Sequence, residues 1–290
     1  MNEIRQILVH LNDEALSRAA LHLGAALAAQ LGARTTALLA VTPVARGAYL
    51  SVEAASLARQ LEEDHLAAQR QAAGRVVTAV AAQVGGDIEL READEDPVQA
   101  LQTCSRTTDL LVISQRGPDG SGGLAAGDTA RVLVGAGCPL LIVPHIGWGL
   151  ETAASASPPI LERALVAWAD TRESARALRD AMPLLRRSRH VELVSFAAEG
   201  DGDPVAARRA LDAAAAHLGR HGMTPEVTVL HSREPSLGER LRRGWIPDVS
   251  IAEALLSHAA DMHADYIVMG GYGHARLWEL VLGGVTRTML

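Results

Sequence analysis

The strongest constraint on this chain is that it says the same thing twice. Residues 7–23, ILVHLNDEALSRAALHL, run parallel to residues 164–180, ALVAWADTRESARALRD. Each is an apolar run, then a short polar turn holding Asp13 or Asp170, then helical periodicity. TDLLVIS at 108–114 and ADYIVMG at 264–270 form a second pair at almost the same displacement. A repeat of this length predicts two domains of one architecture. HIGWGLETAASASPPILER at 145–163 is a Gly/Ser/Pro-rich connector, which places the cut near residue 155. The expected division is 1–146, a linker over 147–160, and 161–290.

Within the first copy, short apolar runs at 7–11, 36–41, 88–91, 110–114 and 140–143 alternate with longer helical segments. Runs without polar alternation read as strands covered on both faces. Leu16, Ala20, Leu23, Leu27 and Leu31 recur at helical spacing, and Gly32 supplies the stop. A second helix is predicted from Ser51 to Val84, closed by Gly85 and Gly86. Strand-helix alternation implies a parallel sheet with right-handed crossovers, hence an α/β fold. The second copy repeats the plan with strands at 165–168, 191–196, 226–230 and 266–270. It carries an insertion, SREPSLGERLRRGWIPDVS, and no counterpart of PLLIVP, so a fifth strand is expected to be lacking there.

Composition narrows the chemistry. All 27 Lys+Arg positions are arginine, so no Schiff base, pyridoxal anchor or phosphate-binding P-loop lysine is available. A net charge of -7 with interspersed signs provides no basic field for nucleic acid or an anionic membrane. No apolar stretch reaches the ~18 to 20 residues that span a bilayer, and the start MNEIRQILVHLNDE does not have the build of a leader. The expectation is a cytoplasmic protein. Cys104 and Cys138 lack metal-ligand spacing and read as core residues, as does His10. His217 and His221, at helical i, i+4 spacing, have no third ligand beside them, so no metal is expected.

The remaining signal lies at the end of the second copy, in GGYGHARLWELVLGGVTRTML. Glycine interiors cost stability, so two glycine clusters after an apolar run need a reason. One is punctuation of the chain. The other is an anion: a helix opening without Cβ atoms presents bare N–H groups to phosphate. Gly270-x-x-Gly273, nine residues, then Gly283 resembles the glycine signature of the universal stress protein family, and the likeness extends through GGVTRTML and over both copies.

That resemblance implies two tandem Rossmann-like domains of the adenine nucleotide alpha hydrolase-like kind, each sheet in the order 3-2-1-4-5. It further implies a stress-response protein binding an adenine nucleotide, ATP or AMP, with Mg²⁺ as an accompanying ion, at a regulatory and not a catalytic site. Association as a homodimer or with another protein belongs to the same expectation. Carried over, Gly270 and Gly273 line the ribose and phosphates, Gly283, Gly284, Val285 and Thr286 receive the phosphates, and Met269 packs near the nucleoside. Gly284 stands where the family has a hydroxyl residue, and Thr286 supplies part of that loss. Asp170 follows one residue after the family's adenine-facing acid, where Ala169 stands; helix capping is its alternative role. Arg287 is a candidate phosphate clamp or a solvated charge.

In the same register the first copy has Ser114, Gly117, Gly127 and Asp128, and the last opposes a triphosphate. The first copy is therefore expected to be a structural partner. A protein that kept the fold and lost the ligand, serving as an interaction module, is the competing expectation.

Overall fold

The structure, a computed structural model, describes residues 3–12, 14–41, 52–117, 120, 122–145, 161–198, 204–232 and 247–271. The chain divides into two compact units between residues 157 and 158. In the first, the elements run β1 (Gln6–Leu11), α1 (Glu14–Leu31), β2 (Arg34–Ala40), α2 (Val52–Val84), β3 (Ile88–Ala93), α3 (Pro97–Ser105), β4 (Leu110–Ser114), α4 (Ala126–Gly135) and β5 (Leu140–Val143). In the second they run β6 (Arg163–Ala167), α5 (Arg172–Leu185), β7 (His190–Ala198), α6 (Pro204–Arg220), β8 (Glu226–Ser232), α7 (Pro247–Asp261) and β9 (Tyr266–Met269).

All strand pairs among the described residues are parallel. The first sheet has the order β3-β2-β1-β4-β5, the expected 3-2-1-4-5. The second, β8-β7-β6-β9, is the same order with four strands among the described residues.

Strand periodicity assigns the faces. Ile7 and Val9 point to α1, whose Gly24 lies against them. Leu8, Leu111 and Ile113 point the other way, into a core with Val98, Leu101 and Cys104 of α3 and Val132 of α4. Helices thus cover both faces, which is why these strands are apolar throughout. The cysteines are core residues as expected: Cys104 is buried in this cluster and Cys138 packs partly buried against it. In the second unit Leu165 and Val194 pack against Leu255 and Ala259 of α7.

The repeat extends to hydrogen bonds that no residue pattern displays. Asp109 accepts from the backbone N–H of Arg5 and Gln6 at 2.8 and 2.9 Å, and Asp265 accepts from that of Arg163 at 2.8 Å. These carboxylates tie the start of each fourth strand to the start of the first. At the opposite end, Ser17 Oγ accepts from Asn12 N at 2.8 Å and Ser174 Oγ from Ala169 N at 3.3 Å. Each closes the turn from first strand into first helix.

Strand limits differ slightly from the predicted ones. Trp168 and Gly270, expected as the last residues of their strands, lie just beyond β6 and β9, while His190 begins β7 one residue early. The long helix from 52 to 84 stands as expected, closed by Gly85 at φ +68°.

Candidate ligand site at the strand ends

In the first unit β1 is flanked by β2 and β4, whose following helices, α2 and α4, lie on opposite faces. The crevice of an open α/β sheet forms at such a switch point, beyond the carboxyl ends of the strands. In the first unit a cleft of about 400 Å³ occupies this position. Leu11 at the end of β1 with Asn12 after it, Ala40 at the end of β2 with Val41 after it, Gln69 of α2 and Leu124 before α4 are among its lining residues. The volume lies within the usual range for small-ligand pockets.

His10, on the last turn of pleat before this cleft, lines it and is 3 % exposed. Its Nδ1 is buried without a hydrogen-bond partner. Desolvation by burial pushes its pKa down to about 4, so the ring is neutral at pH 7. A neutral imidazole retains one donor and one acceptor. His10 was read from the sequence as a packed core residue; it is packed, and it also faces a cleft.

The loop after β4 closes the other side. Arg116 Nε donates to the carbonyl of Gly120 at 2.8 Å, folding the loop on itself. Gly123 adopts φ +51°, and a Cβ there would lie 2.5 Å from the backbone N of Arg116. No other residue type fits that approach. Helix α4 then opens at Ala125 with no side-chain cap. Asp128 sits in its first turn, paired with Arg131 Nη1 at 3.1 Å. Asp128, the residue expected to oppose a phosphate, thus lies in the first turn of α4.

In the second unit three of the expected site residues are described. Met269 ends β9 in register with Ala167 of β6. Gly270 follows it, and Asp170 lies in the exposed turn after β6. The structure thus brings Met269, Gly270 and Asp170 to adjacent strand ends. Gly273, Gly283, Gly284, Val285, Thr286 and Arg287 lie outside the described residues.

Two local details refine these assignments. A Cβ on Gly270 would fall 2.6 Å from Ser174 N and 2.7 Å from the carbonyl carbon of Glu173, so the backbone of the strand end rests on the first turn of α5. Glycine is required there by packing alone. The cap of α5 is Thr171, whose hydroxyl accepts from Ser174 N at 3.2 Å, so Asp170 is not the N-cap. Beside them, Trp168 Nε1 is buried without a hydrogen-bond partner.

The two histidines weighed as ligands, His217 and His221, lie edge to face with ring centroids 4.9 Å apart, and His221 Nδ1 meets Arg186 Nη2 at 3.1 Å. Among the described residues the group of possible metal ligands that does converge is His190, Glu192 and Glu226, with one donor atom of each within 4.8 Å of the others. Sequence reading missed it because Glu226 stands 34 residues from Glu192 and meets it only through β7–β8 register.

Two α/β units with parallel sheets in this order define a tandem Rossmann-like protein. Residues 3–144 match the model of the Universal stress protein family. Among solved structures, a universal stress protein from Archaeoglobus fulgidus DSM 4304 is similar over 97 % of this chain and 92 % of its own, at 18 % identity and a TM-score of 0.62. Universal stress protein UspA from Lactobacillus plantarum covers 49 % of this chain and 99 % of its own, at 18 % identity and a TM-score of 0.40. A universal stress protein in complex with cAMP covers 49 % of this chain and 98 % of its own, at 22 % identity and a TM-score of 0.34. No curated protein matches. No helix among the described residues is long and apolar enough to cross a membrane.

Proposed function

We propose that this chain is a stress-response protein whose second domain reversibly binds an adenine nucleotide, ATP or AMP, as a regulatory site. The observation that carries the reading is the convergence of Met269 and Gly270 with the turn holding Asp170 at the ends of β9 and β6. The glycine spacing from Gly270 through Gly283 and Gly284 adds the phosphate half. The cleft in the first unit supports it from a second direction, because the same scaffold opens at the same place.

Asp128 disfavours a polyphosphate in the first domain, so one nucleotide per chain is the expected stoichiometry. Mg²⁺ would accompany ATP through the phosphates. The bound state acts by altering contacts with a second copy or another protein, and turnover is not expected. Titration calorimetry of the full chain with ATP and AMP tests the reading. Gly283→Asp, which puts a carboxylate at the seat, should abolish affinity while the circular dichroism spectrum is kept. A folded wild type that binds neither nucleotide refutes it.

A second reading, an interaction module without ligand, is favoured by one observation: packing on α5 is sufficient to require glycine at 270. It predicts no affinity in the wild type.

A further inference from the structure

At the other end of the second sheet, the amino-terminal edge, lies a group of side chains that the nucleotide reading does not use. β7 begins His190-Val191-Glu192 and β8 begins Glu226-Val227-Thr228. Alternation along β7 puts His190 and Glu192 on the same face as Val194, the face covered by α7. Register sets Glu226 directly opposite Glu192.

Glu192 is 6 % exposed. Its Oε1 accepts from Thr228 Oγ1 at 2.5 Å and lies 3.0 Å from Nε2 of His258, in the last turn of α7. His190 Nδ1 lies 3.8 Å from Glu226 Oε1. One donor atom each from His190, Glu192 and Glu226 falls within 4.8 Å of the others. Among the described residues no guanidinium meets either carboxylate; their partners are two imidazoles and a hydroxyl. Like charges directly opposite across a strand pair are destabilising, and one of this pair is buried.

The first copy shows that the fold does not demand this arrangement. Asp109 N donates to the carbonyl of Gln6, and Asp265 N to that of Arg163, so Gln6 and Arg163 are equivalent. Counting from them through register, His190, Glu192 and Glu226 correspond to Arg34, Thr36 and Glu89. There Thr36 receives a hydrogen bond from Gln6 Nε2 at 2.7 Å and stands 3.5 Å from Glu89. One carboxylate, a hydroxyl and an arginine suffice. The second copy has instead a second carboxylate, now buried, and a histidine.

The geometry points to a site for a divalent transition-metal ion of the Zn²⁺ type, with His190, Glu192 and Glu226 as ligands. Imidazole and carboxylate are donors that suit such an ion, and two carboxylates cancel its charge. His258 and Thr228 hold Glu192 in place, as outer groups orient ligands in metal sites. Bonds of about 2.1 Å put tetrahedral donors about 3.4 Å apart, so closure asks for a shift on the order of 1 Å. The Glu226 side chain, 69 % exposed, is on the open side and supplies it. The ion would clip β8, which ends the sheet among the described residues, to β7.

The test is Co²⁺ and Zn²⁺ titration of the full-length chain after chelator treatment and dialysis. The expected result is one equivalent of Co²⁺ with visible d–d absorption, displaced by Zn²⁺, and a raised thermal midpoint. Glu226→Gln and His190→Ala, both at accessible positions, should each weaken binding at least tenfold while the circular dichroism spectrum is unchanged. His217→Ala should leave binding as it is. Absence of stoichiometric uptake by folded wild type overturns the assignment, and so does uptake of unchanged affinity in both variants, which puts the ion elsewhere.

Discussion

His10 makes the stability of the first domain depend on acid in a way that one substitution isolates. Folding carries its imidazole from water to a 3 % exposed position and lowers its pKa from 6.5 to about 4. Between those values the unfolded chain binds a proton that the native state refuses, so stability rises with pH through this window. The contribution is fully present above pH 6.5 and is lost as pH falls toward 4. At pH 5 this one group removes about 2 kcal/mol relative to pH 7. Carboxylates titrate over part of the same range, so the measured quantity is the difference between wild type and His10→Leu. Because His10 Nδ1 has no partner, the leucine breaks no bond there, and at pH 7 the variant should lie within about 1.5 kcal/mol of wild type. Two compact units make a single unfolding transition a poor probe. Hydrogen exchange of β1 peptides by mass spectrometry at pH 5 and 7, in the intact chain, reads the first domain alone. The wild type should lose about 2 kcal/mol more protection than the variant between the two pH values. Equal losses in both proteins would mean that the ring is hydrated or charged in the native state, and the argument from burial would be wrong.

Three substitutions test the packing and capping that hold the sites. Gly270→Ala sets a methyl 2.6 Å from Ser174 N, against backbone that cannot rotate away, and should cost about 1–3 kcal/mol in denaturant unfolding of the second domain. Gly24→Ala brings Cβ within 2.6 Å of Val9 Cγ2 in the core; overpacking of about 1–3 kcal/mol exceeds or matches the ~1 kcal/mol helical gain, so urea midpoints should not rise. Asp96 Oδ1 caps α3 by accepting from Val98 N at 3.0 Å and Gln99 N at 3.2 Å, and Asp96→Ala should cost about 1 kcal/mol by the same measurement.

Periodicity and repetition made the architecture legible. Ile7, Val9 and Leu11 alternate with Leu8 and His10 in a strand without a polar face, which only a sheet covered on both sides accepts. The long helix from 52 to 84 and its glycine stop were equally plain. The candidate site was less so. The spacing from Gly270 onward pointed to a strand end, yet spacing does not tell a glycine needed by a ligand from one needed by a neighbouring helix; the 2.6 Å approach to Ser174 does. Asp170 resembled a cap, and the hydrogen bond to Thr171 Oγ1 shows which residue is one. The cleft in the first copy had no sequence signal, since its walls come from Asn12, Gln69 and Leu124.

By itself the sequence determined what local chemistry determines: strand or helix, the handed parallel order, the duplication, and the absence of lysine chemistry. Tertiary structure decided what depends on register and burial. The desolvation that keeps His10 neutral, and the alignment that sets Glu192 against Glu226, arise from residues far apart in the chain. Hydrophobic period is a property of neighbours in sequence, whereas a pKa or a ligand set is a property of neighbours in space.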